Sequence, residues 1–272
     1  MVRSNRGSLV LSIGEISVLV FSKNKEFMVQ TEKRYANFIC KETDPLIRMA
    51  VNILSEKMLP NWPTNVERPE VRFDNGTEQA TFAWQDISGE FDLVSGKARM
   101  SCTLNPTGLN SFLRFVYSLV LLKEFGFLVH ASGLIKDGKG YIFPGKSGAG
   151  KTTITRLSLG ATLLSDDLPL VKIGDAPLIF GTPFWGDLAV SGEKTSAPLA
   201  GIYFPVKDKK NYTEILKPRQ VLQKLLPNVV FFSKHEKFSK QLFNLSFDLA
   251  TKVPAFELHF LPNPSFWECI DA

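Results

Sequence analysis

The sequence predicts an α/β chain, with a smaller β-rich α+β domain over residues 1–105 and a P-loop domain on a mixed sheet over 106–272. Three observations predict it. Short alternating apolar runs between turn residues fill the first third. A Gly-rich loop stands between a β run and a helix near the middle of the chain. Beyond it, strands and helices are mixed to the last residues.

Taken in order, Ser8 to Phe21 alternates (Leu9, Leu11, Ile13, then Ile16, Val18, Val20), with Gly14-Glu15 turning between two strands. Thr43 to Leu59 spaces its apolar residues as a helix does, capped by Asp44 before Pro45. After a break at Pro60, Pro63 and Pro69, a meander is expected over Val71–Phe73, Gln79–Trp84, Glu90–Val94 and Ala98–Leu104. Its turns fall at Asn75-Gly76, Ser88-Gly89 and Ser95-Gly96. Asn105-Pro106-Thr107-Gly108 marks the domain boundary. Leu109 to Phe125 is apolar nearly all round, which predicts a helix buried against the sheet that follows; membrane binding is the other reading of that pattern. Then come a strand (Phe127–Leu134), a turn (Lys136-Asp137-Gly138), a strand (Gly140–Phe143), the loop and a helix (Lys151–Leu159). Strands follow at Thr162–Leu164, Leu168–Ile173, Leu178–Gly181 and Gly201–Val206, helices at Arg219–Leu226 and Phe238–Thr251, and a last strand at Ala255–Leu261.

Composition excludes several classes. The 272 residues are 44% hydrophobic and include 22 Phe, which is ample apolar surface for a folded core and argues against disorder. The most apolar stretch, Ser111 to Leu134, is interrupted by Arg114, Lys123, Glu124 and His130, so no membrane span is expected. The basic start, Met1-Val2-Arg3-Ser4-Asn5-Arg6, leads into a strand pattern and not a signal segment. Cys40, Cys102 and Cys269 are far apart and form no CxxC pair, pointing to a reducing cytoplasm and no metal cluster. The net charge of +5 is diluted along the chain, and its densest cluster, Lys207-Asp208-Lys209-Lys210, reads as a loop tip. Neither a nucleic-acid nor a membrane partner is expected.

The chemistry lies in Gly145-Lys146-Ser147-Gly148-Ala149-Gly150-Lys151-Thr152, which fits G-x-x-x-x-G-K-[ST] and is followed by Thr153. Glycines let the backbone wrap a polyphosphate and turn its N–H groups inward, and the helix N-terminus adds partial positive charge. Lys151 supplies a full charge to the β- and γ-phosphates, and Thr152 a hydroxyl for a Mg²⁺ shell. Asp166 and Asp167 follow Lys151 by fifteen and sixteen residues, one helix and one strand later, so they can return beside the phosphates. Two adjacent carboxylates cannot both be buried unpaired, so a metal, a lysine or a shared proton is implied. One can complete a Mg²⁺ site while the other accepts a proton from an attacking hydroxyl. A turn with two solvated aspartates is the plainer alternative. His130, on the apolar run Phe127-Leu128-Val129, reads first as a satisfied core histidine; His235 and His259 carry weaker signals.

Together these features resemble the catalytic domain of HPr kinase/phosphorylase, P-loop serine kinases allied to phosphoenolpyruvate carboxykinase. That family has a histidine fifteen residues before the first P-loop glycine, as His130 stands before Gly145, and an Asp-Asp pair a few residues later than here. The shared stretch runs from His130-Ala131-Ser132-Gly133 through Ser165-Asp166-Asp167. Gly181-Thr182-Pro183-Phe184-Trp185-Gly186 and Glu257-Leu258-His259-Phe260 are similar to the HprK-like proteins found beside peptide-modification genes. The resemblance implies an HprK-like kinase domain over 106–272 that uses ATP and Mg²⁺. Asp167 would take the proton from a substrate serine, Asp166 would support it or the metal, and His130 and Lys151 would hold the phosphoryl group. Thr152 would bind Mg²⁺, and Asp187, after Gly186, is the nearest candidate for the remaining metal carboxylate. The chain lacks the family's Pro-Gly-Arg-Asn and Arg-Gly-Leu-Gly segments, and only Arg156 and Arg219 follow the P-loop.

The function expected is a cytoplasmic ATP-dependent kinase moving the γ-phosphoryl group to a serine or similar hydroxyl of a protein or peptide, with room for a homo-oligomer. The N-terminal domain is then a recognition module. A small-molecule kinase, or a nucleotide sensor or scaffold without catalysis, are the alternatives.

Overall fold

In the computed structural model the residues described are 7–55, 69–74, 77–233 and 235–270. They form a mixed α/β structure on two mixed sheets. The chain divides into two units, Met1–Val120 with Phe231–Glu236, and Leu121–Val230 with Lys237–Ala272. The division thus falls within a helix, whereas the sequence places it at Asn105–Gly108.

In the first unit the alternating residues pair as expected. Strand β1 (Ser8–Ile13) turns at Gly14 and Glu15, both at positive φ, into β2 (Ile16–Ser22). Helix α1 (Lys25–Arg34) follows, capped by Asn24, whose side chain accepts from Phe27 N at 2.9 Å; the sequence reading passed over it. Then come β3 (Ile39–Cys40) and β4 (Ile47–Ile53). The latter corrects the helix expected over Thr43–Leu59. Ile47, Met49 and Val51 are buried while Arg48, Ala50 and Asn52 are exposed, a period of two. Parallel pairing with β2 and with β8 (Lys97–Cys102) decided the matter, and Asp44 binds Arg48 in place of capping a helix. The rest of that expected helix, 56–59, lies outside the described residues.

The meander consists of β5 (Glu70–Phe73), β6 (Gln79–Trp84), β7 (Ile87–Asp92) and β8. Ser88-Gly89 lies inside β7 and not in a turn; the chain turns at Gln85, whose φ is 54°. Asn75-Gly76 lies outside the described residues. The sheet order is β3-β1-β2-β4-β8-β7-β6-β5. Helix α2 (Pro106–Lys123) lays its first part against this sheet. Phe112 sits so close over Gly89 that a Cβ there would lie 2.4 Å from its ring, and Tyr117 donates to Ile16 O at 2.8 Å. Each large apolar side chain so buried contributes about 1.5–3 kcal/mol.

The second unit holds β9 (Gly126–Leu128), β10 (Ala131–Lys136), β11 (Lys139–Pro144), α3 (Lys151–Leu157), β12 (Thr162–Ser165), β13 (Leu170–Lys172) and β14 (Leu178–Phe180). After these come β15 (Ser196–Lys207), β16 (Tyr212–Ile215), α4 (Pro218–Leu225), α5 (Glu236–Lys252) and β17 (Ala255–Phe260). The single strand expected over Phe127–Leu134 is two, because β9 pairs with β13 while β10 pairs with β11 and β12. Three strands run parallel side by side, β11, β15 and β17, and the rest pair antiparallel. Under the loop that follows β11 lies a core of Tyr141, Phe143, Ile154, Tyr203, Phe260 and Trp267. No helix among the described residues is long and apolar enough to cross a membrane.

Candidate functional site

The loop leaves β11 at Pro144 and enters α3 at Lys151. Gly148 has φ 81° and Gly150 φ 108°, the left-handed region that glycine enters without steric cost. At Gly150 a second constraint acts, since a Cβ would lie 2.6 Å from the Phe260 ring. Gly145 is confined likewise, with Ala149 Cβ at 2.8 Å from such an atom. Lys151 is 8% exposed and donates to Gly145 O at 2.6 Å and Lys146 O at 3.2 Å. An ammonium has three donors, so one more is available to a ligand. The helix is held from behind: Ser132 and Thr155 hydroxyls meet at 2.5 Å, and Trp267 donates to Ser158 Oγ at 3.1 Å.

The acidic pair closes β12. Ser165 is fully buried, donates to Phe184 O at 2.6 Å and accepts from Leu168 N, which fixes the turn that carries both aspartates. Asp166 is 4% exposed, and its two oxygens accept from Gly186 N and Leu188 N, each at 2.8 Å. The sequence had offered a metal, a lysine or a shared proton as its partner. Backbone N–H groups are the answer, and a metal contact would have to use the oxygens' second lone pairs. Asp166 thereby holds the loop on which Asp187 stands exposed. Gly186 lies close against Asp167, for a Cβ there would come 3.1 Å from Asp167 Cβ.

This loop belongs to a segment, 181–192, woven against β12. Thr182 donates through its hydroxyl to Leu168 O and through its N–H to Leu164 O. Added Cβ atoms would meet Glu193 O at 1.8 Å from Gly181 and Leu164 O at 1.7 Å from Gly192. Two backbones touch at those points, and only glycine fits.

His130 is not the buried core residue that its apolar run alone suggests, and it stands on the cavity side. It sits at the bend between β9 and β10, with its N–H on Asn228 O and its carbonyl accepting from Gly145 N. Its half-exposed ring places Nδ1 3.3 Å from Asp167 Oδ1. His130, Ser147, Gly148, Gly150, Lys151, Thr152, Thr153, Asp166, Asp167, Gly186, Asp187 and Lys207 line one cavity of about 470 Å³. Gly145, Lys146 and Ala149 frame the loop without lining it. Burial pushes the Lys151 ammonium below its ordinary value, and Asp167, Asp187 and Asp166, in that order, act against the shift.

Lys207 is the residue that sequence reasoning missed. It ends β15 and does not belong to a loop tip. A usable signal was its place as the first charge after the apolar run Gly201–Val206. A second polar group lies on β16 and β17, where Glu214, Glu257 and His259 bring ligand atoms within 4.8 Å of one another. Its charges have partners at hand: Lys224 Nζ lies 2.6 Å from Glu257 Oε1, and His259 Nδ1 2.8 Å from Asp208 Oδ2. Against known proteins, the chain matches no family model and no curated protein.

Proposed function

We propose that this chain is a cytoplasmic P-loop phosphotransferase of the HPr kinase/phosphorylase type, moving the γ-phosphoryl group of ATP to a serine or similar hydroxyl of a protein or peptide. One observation carries the reading. Ser147, Gly148, Gly150, Lys151 and Thr152 of the loop face a single cavity with Asp167, Asp187 and His130, although they come from four separate parts of the sequence.

The residues fit a Mg²⁺–nucleotide. The Gly148–Gly150 backbone is shaped as a nest at a helix N-terminus. Lys151, shifted against its charged form by burial, gains from a polyanion. Thr152 and Asp187 would hold Mg²⁺, which supplies neutralisation of phosphate charge. Asp167 receives the hydroxyl proton as the acceptor oxygen bonds to phosphorus and the bond from phosphorus to the ADP oxygen breaks. His130, in contact with the Asp167 carboxylate, orients it.

Titration with Mg²⁺–ATP, paired with mass spectrometry of serine peptides, tests this reading. Asp167→Asn should keep nucleotide affinity and lower transfer by about 10²–10⁴-fold, the usual weight of a general base. Transfer unaffected by that change would overturn the assignment. The competing reading, a nucleotide sensor, is favoured by one feature: among the described residues, no arginine lines the cavity. Binding without transfer to any acceptor would support it.

A further inference from the structure

We propose that Lys207 is a second phosphate-directed cation of this site, contacting the phosphoryl group as it is transferred; the proposal rests on the phosphotransfer reading above. The cavity lining sets the need. Among the described residues it carries three carboxylates, Asp166, Asp167 and Asp187, against one buried ammonium and a histidine already beside Asp167. Arg156 and Arg219 are exposed on α3 and α4 and line no part of it. Charge spreads over the equatorial oxygens of a phosphoryl group in transfer, so stabilisation must come from cations placed beforehand. Among the described residues, Lys207 is the remaining cationic side chain on the wall.

Its position is built into the sheet. β11 feeds the P-loop and β15 runs parallel beside it, and ligands of such sheets collect beyond the carboxyl ends of parallel strands. Pro205 Cδ lies 3.9 Å from where a Gly145 Cβ would be, and Lys207, two residues on, shares that face of the strand. Across the strand pair, Lys207 is in register with Phe260, whose ring closes under Gly150. The strand end is therefore fixed beside both ends of the P-loop. It is also pinned: Asp208 N donates to Phe260 O at 3.2 Å, and the Asp208 carboxylate meets His259, whose ring stacks on Tyr212 with centroids 4.2 Å apart. The Lys207 side chain itself is exposed and makes no hydrogen bond or ion pair among the described residues, so its charge is available.

The test compares Lys207→Met and Lys207→Arg with the unaltered protein in binding Mg²⁺–ADP and Mg²⁺–ADP with fluoroaluminate, a mimic of the phosphoryl group in flight. Lys207→Met should leave Mg²⁺–ADP affinity and thermal stability unchanged and weaken the fluoroaluminate complex about 10²-fold, as losing one transition-state donor does. Lys207→Arg should restore most of it. Equal weakening of both complexes, or of neither, overturns the proposal. If the unaltered protein binds no Mg²⁺–ADP, the nucleotide reading itself falls. If it binds Mg²⁺–ADP with no gain from fluoroaluminate, the phosphotransfer reading falls; in both cases this proposal falls with it.

Discussion

Two segments face each other across the cavity, and they are built in opposite ways. The P-loop, 145–152, closes on itself: Lys151 reaches back five and six residues to Lys146 and Gly145, and Gly148 has nothing within 4 Å of a would-be Cβ. The segment 181–192 is held from afar, by Asp166 twenty and twenty-two residues away and by backbone contacts with β12. The glycines differ in kind as well. In the loop Gly148 and Gly150 provide unusual dihedral angles; in 181–192 Gly181 and Gly192 provide room for a second backbone. A motif can encode the dihedral angles of the first by itself, while the second exists only once β12 is in place.

Substitutions can break this contrast, and Gly192→Ala should act most strongly. Its Cβ would sit 1.7 Å from Leu164 O, where no rotamer gives relief, so the cost should exceed the roughly 1–3 kcal/mol of ordinary overpacking. Differential scanning calorimetry should show the melting of the second unit lost or sharply lowered. Asp166→Asn comes next. The new amide turns an NH₂ toward a backbone N–H, leaving Gly186 or Leu188 unsatisfied at a cost of about 1–3 kcal/mol. Hydrogen exchange should accelerate at those two amides before any global loosening. Gly148→Ala should cost less, about 1–2 kcal/mol of left-handed strain in open space, read as a small shift in denaturant midpoint. If Gly148→Ala proved as damaging as Gly192→Ala, the distinction between dihedral glycines and contact glycines would be wrong.

The smallest effect concerns pH. The Lys224 ammonium bonded to Glu257 is the largest cause holding that carboxyl below its usual range, though both side chains are partly exposed and water screens them. A carboxyl with a lowered folded pKa lends stability above its unfolded value, about 4.3, and loses it as pH falls through the folded value. Urea titrations should therefore show a smaller stability gap between neutral and acidic pH in Lys224→Met than in the unaltered chain.

The same contrast explains what could be read in advance. The loop was legible because the eight residues 145–152 carry its geometry. The aspartates were legible by spacing, but the work of Asp166 was not, because its partners, Gly186 N and Leu188 N, are brought in by a segment whose path no local pattern gives. For His130 the apolar run alone suggests a core position, because one run covers two strands that belong to different pairings. The helix expected at 43–59 failed similarly: its apolar residues suit either period, and β2 and β8 chose period two. Lys207 escaped notice since nothing in the sequence says that β15 lies beside β11.

Phe260 closes the cradle under Gly150, with more than a third of the chain synthesised between them. The order of synthesis thus leaves the P-loop waiting. A nascent chain that has exposed residues 145–152 still lacks the floor that fixes Gly150, and lacks β17 to pin β15. Contacts so distant in sequence carry a closure entropy that slows their formation. The geometry of the loop should therefore settle late in folding, after the parallel trio β11, β15 and β17 is complete.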